Sequence, residues 1–234
     1  MWSYGAINEI VQQKLESSSH LLHRLGMSNF NTHLEGYHRF RETGYQQQLA
    51  RWSKLAEGQS PKTMVIACSD SRVDPATIFD TSPGEMFVVR NVANLVPPFE
   101  LGGGRHGVSA ALEFAVTQLE VEEIIVMGHG SCGGVAAALS RQFEHAKPGE
   151  GGFIAHWIDL LDDARDRVMA EHGAQATEIL EHETVKVSLA NLRTFACVRK
   201  REAAGKLKLR GAWFAISDGQ LHVLDEATGA FSAA

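Results

Sequence analysis

Met64-Val65-Ile66-Ala67-Cys68-Ser69-Asp70-Ser71-Arg72 is an apolar run that breaks into a thiol, a carboxylate and a guanidinium at every second position. A short, unbroken apolar run bounded by polar turn residues fits a strand covered on both faces, so the stretch predicts a buried strand running out into a loop. Open α/β sheets place their chemistry in the loops at the carboxyl ends of parallel strands. In such a loop Cys68, Asp70 and Arg72 can converge on one small volume, with Ser69 and Ser71 as spacers that bond to nearby backbone. A second junction of the same kind follows where Ile124-Ile125-Val126-Met127 leads to His129-Gly130-Ser131-Cys132. Together they offer Cys68, His129 and Cys132, the two-cysteine, one-histidine set of an open zinc site. Asp70 can take the fourth zinc position or accept a bond from a water there, and Arg72 can hold it off the metal through a bidentate pair.

Outward from these junctions, strands alternate with helices. Pro61 to Val73 gives the first strand and its loop, followed by a turn or short helix around Asp74-Pro75-Ala76-Thr77-Ile78-Phe79, with Pro at the first helical position after an Asp cap. Met86-Phe87-Val88-Val89 reads as a second strand ending in Arg90-Asn91-Val92-Ala93-Asn94. Gly102-Gly103-Gly104-Arg105-His106-Gly107 matches neither the dinucleotide nor the P-loop spacing and reads as an approach to the next helix. That helix, Val108 to Leu119, buries Ala111, Leu112, Ala115 and Leu119. The third strand is Glu123 to Met127, and Gly133-Gly134 leads into a helix from Val135 to Arg141, its glycines letting backbone come close to a metal or small substrate. From Phe153 to about Lys206 the pattern is helical, interrupted near Gly173. Lys208 to Ser217 and Leu221 to Leu224, around Asp218-Gly219, read as a closing hairpin. The expectation is an α/β fold, a mostly parallel sheet flanked by helices with an antiparallel edge strand.

A chain of 234 residues, 44% of them hydrophobic, can bury one sizeable core. Residues 57–234 are expected to form the α/β zinc catalytic part and residues 1–56 a helical arm of the same domain. Between Ile7 and Leu55 the apolar positions are sparse (Leu21, Leu22, Leu25, Leu34, Tyr37, Phe40) and fit amphipathic helices with little core of their own. Such an arm packs on its own sheet or on a second subunit. A net charge of -6 argues against nucleic acid, whose binding is driven by Lys/Arg contacts to phosphate. Arg199-Lys200-Arg201, followed by Glu202, reads as a solvated helix face. Three cysteines are too few for a disulfide framework, and Cys197 is expected to be a small apolar residue buried in a helix. The first residues lack the pattern of a secretory signal and no stretch reaches the roughly 18 apolar residues of a membrane span, so a reducing, cytoplasmic location is expected.

Cys68-Ser69-Asp70-Ser71-Arg72, Arg90-Asn91-Val92-Ala93-Asn94 and Gly128-His129-Gly130-Ser131-Cys132-Gly133-Gly134 resemble the signature blocks of the β-class carbonic anhydrases. The similarity runs from about Glu57-Gly58-Gln59-Ser60-Pro61 to Gly211-Ala212-Trp213-Phe214. The resemblance implies reversible hydration of CO2 to bicarbonate and a proton on Zn2+ held by Cys68, His129 and Cys132, with a zinc-bound hydroxide as nucleophile and Asp70 and Arg72 as the catalytic dyad. It also implies a homodimer or dimer-based higher oligomer whose N-terminal helices embrace the partner. By position Gln59 matches a glutamine that points into the active site from the neighbouring subunit, and Phe87 and Val92 match apolar pocket walls. Phe114 stands where plant-type members often carry a tyrosine. The bicarbonate-inhibited bacterial subtype has a tryptophan three residues before the first zinc cysteine; this chain has Val65, and so resembles the plant-type branch more.

Two thiolates and a neutral imidazole leave the first shell of a zinc ion at net zero charge, so its water should ionise at higher pH than under three histidines. CO2 hydration is therefore expected to climb into mildly alkaline conditions. Gly130 is expected to present its backbone N–H near the metal. Two alternatives stay open: a hydrolase of a CO2 analogue such as CS2 or COS, and a zinc-stabilised binding protein with Asp70 as permanent fourth ligand.

Overall fold

The computed structural model describes residues 28–102, 104 and 106–234. The expected helical positions Leu21, Leu22 and Leu25, and Gly103 and Arg105 of the glycine-rich stretch, lie outside the described residues. The chain divides into two compact units on either side of the Gly58–Gln59 bond.

The first unit carries helices α1 (Asn29–Glu42), α2 (Gly44–Gln47) and α3 (Leu49–Leu55). Ser28 caps α1, its hydroxyl accepting from Asn31 N–H. None of the three helices buries a residue. Phe40, Tyr45 and Trp52 pack on one another, with ring centroids 5.7 to 6.3 Å apart, and Phe30, Leu34, Tyr37 and Leu49 are exposed. This is the helical arm with little core of its own that the sparse apolar spacing predicts.

The second unit is built on a six-stranded sheet: β1 (Thr63–Cys68), β2 (Met86–Asn91), β3 (Glu123–His129), β4 (Lys208–Ala215), β5 (Gln220–Asp225) and β6 (Ala230–Ala233), in the order β2-β1-β3-β4-β5-β6. The first four in that order run parallel; β5 and β6 are antiparallel. The hairpin at Asp218-Gly219 is present, but a further strand, β6, lies outside it. Asp225 sets that second turn, accepting from Ala227 N–H at 2.9 Å and from the Thr228 hydroxyl at 3.0 Å.

Continuous apolar runs became the central strands because both faces are covered. Met64, Val65, Ile66 and Ala67 are all 0% exposed. On one face Met64 and Ile66 pack with Leu112 and Val116 of α5 (Gly107–Thr117), Leu189 and Leu192 of α9 (Ala176–Leu192) and Val198 of α10 (Ala196–Ala203). On the other, Val65 and Ala67 meet Met127, Ala212 and Ile78 of α4 (Pro75–Ile78), which Asp74 caps through a 3.0 Å bond from Thr77 N–H. Burying each side chain of leucine or isoleucine size contributes about 1.5–3 kcal/mol. Cys197, on α10, is only half-buried at the rim of this core.

A second cluster joins α6 (Gly133–Ser140), α7 (Gly152–Ile158) and α8 (Asp162–His172), and the expected break at Gly173 falls between α8 and α9. Helix α9 lies tight on the sheet. A Cβ at Gly128 or Gly211 would come within 2.9 Å of Val185, so glycine is what lets the helix approach. The chain leaves β1 for β2 on one side and later enters β3 on the other, which makes the carboxyl ends of β1 and β3 a topological switch point.

Candidate metal centre

Cys68 is the last residue of β1 and His129 the last of the neighbouring parallel strand β3, so the two emerge side by side. Cys132 reaches the same volume because Ser131, at φ +56°, turns the loop back and makes Cys132 the N-cap of α6. The Cys68 Sγ, the Cys132 Sγ and a His129 ring nitrogen all lie within 4.8 Å of one another, the one such group among the described residues. The two sulfurs are 3.9 Å apart. Two sulfurs 2.3 Å from one tetrahedral centre would be about 3.8 Å apart, so the spacing fits zinc.

His129 is 1% exposed. Its Nδ1 is 2.9 Å from the Gly130 carbonyl, which fixes Nδ1–H as donor, while Nε2 is buried with no hydrogen-bond partner. A buried, orphaned lone pair beside two thiols is what a metal ligand looks like before the ion is added. The thiols are themselves poised. Donation from Cys132 holds the Cys68 thiol far below its usual range against the cost of burial, helped by His129 and by the amides of Asp70 and Ala93. The resulting thiolate, together with burial, pushes Cys132 up. Burial opposes an imidazolium at His129, but the neighbouring Cys68 thiol and the Gly130 carbonyl carry it net upward. The three side chains are soft and borderline donors placed to hold a metal ion.

Asp70 stands beside this group but outside it. Arg72 donates to it from Nε at 2.9 Å, from a terminal nitrogen at 2.7 Å and from its backbone N–H at 3.0 Å. The same guanidinium donates to the Ser131 carbonyl at 3.0 Å, tying one ligand loop to the other. That pairing holds the Asp70 carboxyl well below the usual carboxylate range.

Sequence reasoning missed Glu181. It projects from α9, is 3% exposed, and accepts the Cys132 N–H at 3.0 Å. Burial pushes its carboxyl up, with the Cys132 amide the leading opposing effect. The available signal was Glu181, Thr184 and Ser188 at helical spacing on the apolar stripe of α9. Thr184 and Ser188 do related work, accepting from the Asn94 side chain at 3.1 Å and donating to the Asn94 carbonyl at 3.0 Å respectively. They hold a turn in which Ala93 and Asn94 sit at φ +60° and +49°, a conformation L-residues keep only when their surroundings over-determine it.

The remaining expected residues are placed differently. Val92 adjoins Ala93, is 39% exposed, and its carbonyl accepts from Trp157 Nε1 at 2.8 Å. Gln59 is exposed. Phe87 pairs with Met64, four residues before Cys68, about 13 Å down the strand, and packs on Phe114 with centroids 6.0 Å apart. Within this chain neither ring reaches the ligand group. Gly130 needs correction: its N–H donates to the Phe214 carbonyl at 2.9 Å, because the loop still follows β4 there, and it is its carbonyl that acts, on His129. At Gly134 the close approach is to protein, since a Cβ would lie 2.7 Å from Val92 Cγ1.

A doubly covered α/β sheet with two thiols and an imidazole converging at its switch point defines a protein able to hold a metal ion there. A family model described as carbonic anhydrase matches residues 63–221. The chain is 38% identical over 187 residues to "Beta carbonic anhydrase 6, mitochondrial" of Arabidopsis thaliana, covering 78% of this chain and 63% of that protein's length. Its fold matches the β-carbonic anhydrase CcaA at a TM-score of 0.81 and 30% identity, over 89% of this chain and 93% of the other. It also matches one of two tetrameric β-carbonic anhydrases of the ascomycete Sordaria macrospora at 0.71 and 27%, over 87% and 98%. The chain belongs to the carbonic anhydrase family, in its β class. Its likeness to the Arabidopsis protein fits the plant-type branch.

Proposed function

We propose that this chain catalyses the reversible hydration of CO2 to bicarbonate and a proton, with zinc held by Cys68, His129 and Cys132. The observation that carries this reading is the arrangement around Asp70: three soft or borderline donors converge, and the Asp70 carboxylate is bound to Arg72 instead of joining them. A closed structural site would use that carboxylate as its fourth ligand. Zinc, when bound, is a Lewis acid that lowers the pKa of a coordinated water.

The chain's own residues do the rest. Gly130 fixes the His129 tautomer, which leaves Nε2 as the nitrogen that would hold the metal. The Gly134 and Val135 amides at the start of α6 favour the thiolate of Cys132. Asp70, kept ionised by Arg72, accepts a proton-bearing hydrogen bond and so orients the attacking oxygen. Val92, apolar and partly exposed beside the ligand loop, suits a wall for a small neutral substrate. Gln59 contributes from a partner subunit in this reading, and the arm helices, which bury nothing of their own, embrace that partner in a homodimer or dimer-based higher oligomer. No helix among the described residues is long and apolar enough to cross a membrane. A cytoplasmic location is the reading that three unpaired cysteines support.

Stopped-flow CO2 hydration with an indicator dye, on zinc-loaded protein at about pH 7 and 8.5, tests the proposal. Turnover rising with pH is expected, because the neutral shell of two thiolates and one imidazole withdraws little charge. No turnover at either pH, with one zinc per chain confirmed, would reject it in favour of a closed site or a CO2 analogue.

A further inference from the structure

Arg90, near the end of β2, reaches over the loop that follows the neighbouring strand β1. Its Nε donates to the Cys68 carbonyl at 2.9 Å, one terminal nitrogen to the Asp70 carbonyl at 2.6 Å and towards the Val73 carbonyl at 3.5 Å, and the other meets Asp74 Oδ2 at 3.3 Å. Asn91, the next residue, accepts Ser69 N–H at 2.8 Å through its carbonyl. Residues 69–73 form neither helix nor strand. The end of β2 thus grips the Cys68–Ser69 and Asp70–Ser71 peptides, and Asp74, which caps α4, anchors the far end. None of these bonds involves a ligand atom of the metal group or the Asp70 carboxylate itself.

We infer that Arg90 is a positioning residue: by fixing the carbonyls of Cys68 and Asp70 it sets the direction in which the Asp70 side chain leaves the backbone, and so keeps that carboxylate on Arg72. The inference rests on the proposed CO2 hydration. Only a planar, multi-donor fork spans acceptors so spread out; a lysine ammonium is a point charge that can satisfy one or two of them. Without Arg90 the Asp70 carbonyl keeps only the longer bond from Val73 N–H at 3.2 Å, and the loop keeps the Ser69 N–H bond to the Asn91 carbonyl, so the Asp70 peptide is held less firmly.

The test is a double-mutant cycle of Arg90→Lys with Asp70→Asn on zinc-loaded protein, with Arg90→Gln as a second probe, reading kcat, KM and metal content. The visible spectrum of the Co2+-substituted proteins is followed in parallel. Arg90→Lys is expected to keep one metal per chain and lose about tenfold in kcat with KM little changed, but to cost less than about twofold when Asp70 is already Asn. Its change in the Co2+ spectrum should likewise vanish on that background. A loss of equal size on both backgrounds, full activity of Arg90→Lys, or loss of metal from both Arg90 variants would overturn the positioning role. Were the unmutated chain inactive on CO2, the proposed function would fall, and the Co2+ cycle alone would still decide Arg90: a spectral change that persists with Asn at 70 overturns it.

Discussion

Replacing Glu181 by leucine removes the acceptor of the Cys132 N–H, and the structure sets the size of the effect. Donor and acceptor residues are 2% and 3% exposed, so water has no route to replace the lost bond. An unsatisfied buried N–H costs about 1–3 kcal/mol. Glutamine keeps an acceptor oxygen in place and removes a carboxylate whose charged form burial disfavours. The difference between the two variants therefore isolates the hydrogen bond from the charge. In a chain of 150–250 residues each kcal/mol moves Tm by about 2–4 °C, so Glu181→Leu should melt about 2–12 °C below Glu181→Gln. The pH dependence separates them further. A carboxyl raised above its unfolded value of about 4.3 leaves the folded state binding more protons, so the stability of the unmutated chain falls as pH rises through that window, and Glu181→Gln lacks this slope. The assay is thermal denaturation of zinc-loaded protein at one fixed protomer concentration, since metal and partner both shift Tm by mass action. Equal melting of the Leu and Gln variants would refute the assignment of the Cys132 bond as a stabilising contact.

Asp70→Asn should retain one zinc per chain and lose most CO2 hydration, because an amide cannot accept on both atoms facing Arg72; stopped-flow rates equal to the parent's would remove the dyad from the mechanism. Arg72→Leu should shift the midpoint of acid denaturation upward. The depressed Asp70 pKa means that the pair's contribution is present above the unfolded value of about 3.9 and is lost only as pH falls below it. With the guanidinium gone, protonation of Asp70 begins at higher pH, and an unmoved acid-denaturation midpoint would contradict the pairing. Gly134→Ala places a Cβ 2.7 Å from Val92 Cγ1 and 3.1 Å from Ala93 Cβ, an overpacking that should cost about 1–3 kcal/mol in urea denaturation; an unchanged midpoint would mean the turn gives way freely.

The chain itself determined the central strands and the metal-ligand set. Met64 to Ala67 and Ile124 to Met127 are apolar without a break, a pattern that suits strands covered on both faces, and the ligand types Cys68, His129 and Cys132 stand at their ends. The Asp74 cap, the break at Gly173 and the hairpin at Asp218-Gly219 were legible for the same reason: each depends on residues within a few positions of one another. What the sequence hid depends on who stands opposite. Whether the Gly130 N–H faces a metal or β4 follows from how far the parallel pairing extends, and pairing is not local. That Phe87 stands opposite Met64 and packs on Phe114 follows from strand register, which no local pattern gives. Strand β6 is four residues of modest apolarity that become a strand only because β5 offers a free edge. Glu181 lies forty-nine positions from Cys132, and the bond forms because Gly128 and Gly211 let α9 settle onto the sheet. Local pattern fixes which groups can act; the packing of distant elements decides which donor meets which acceptor, because a hydrogen bond or a close contact is satisfied in space and not along the chain.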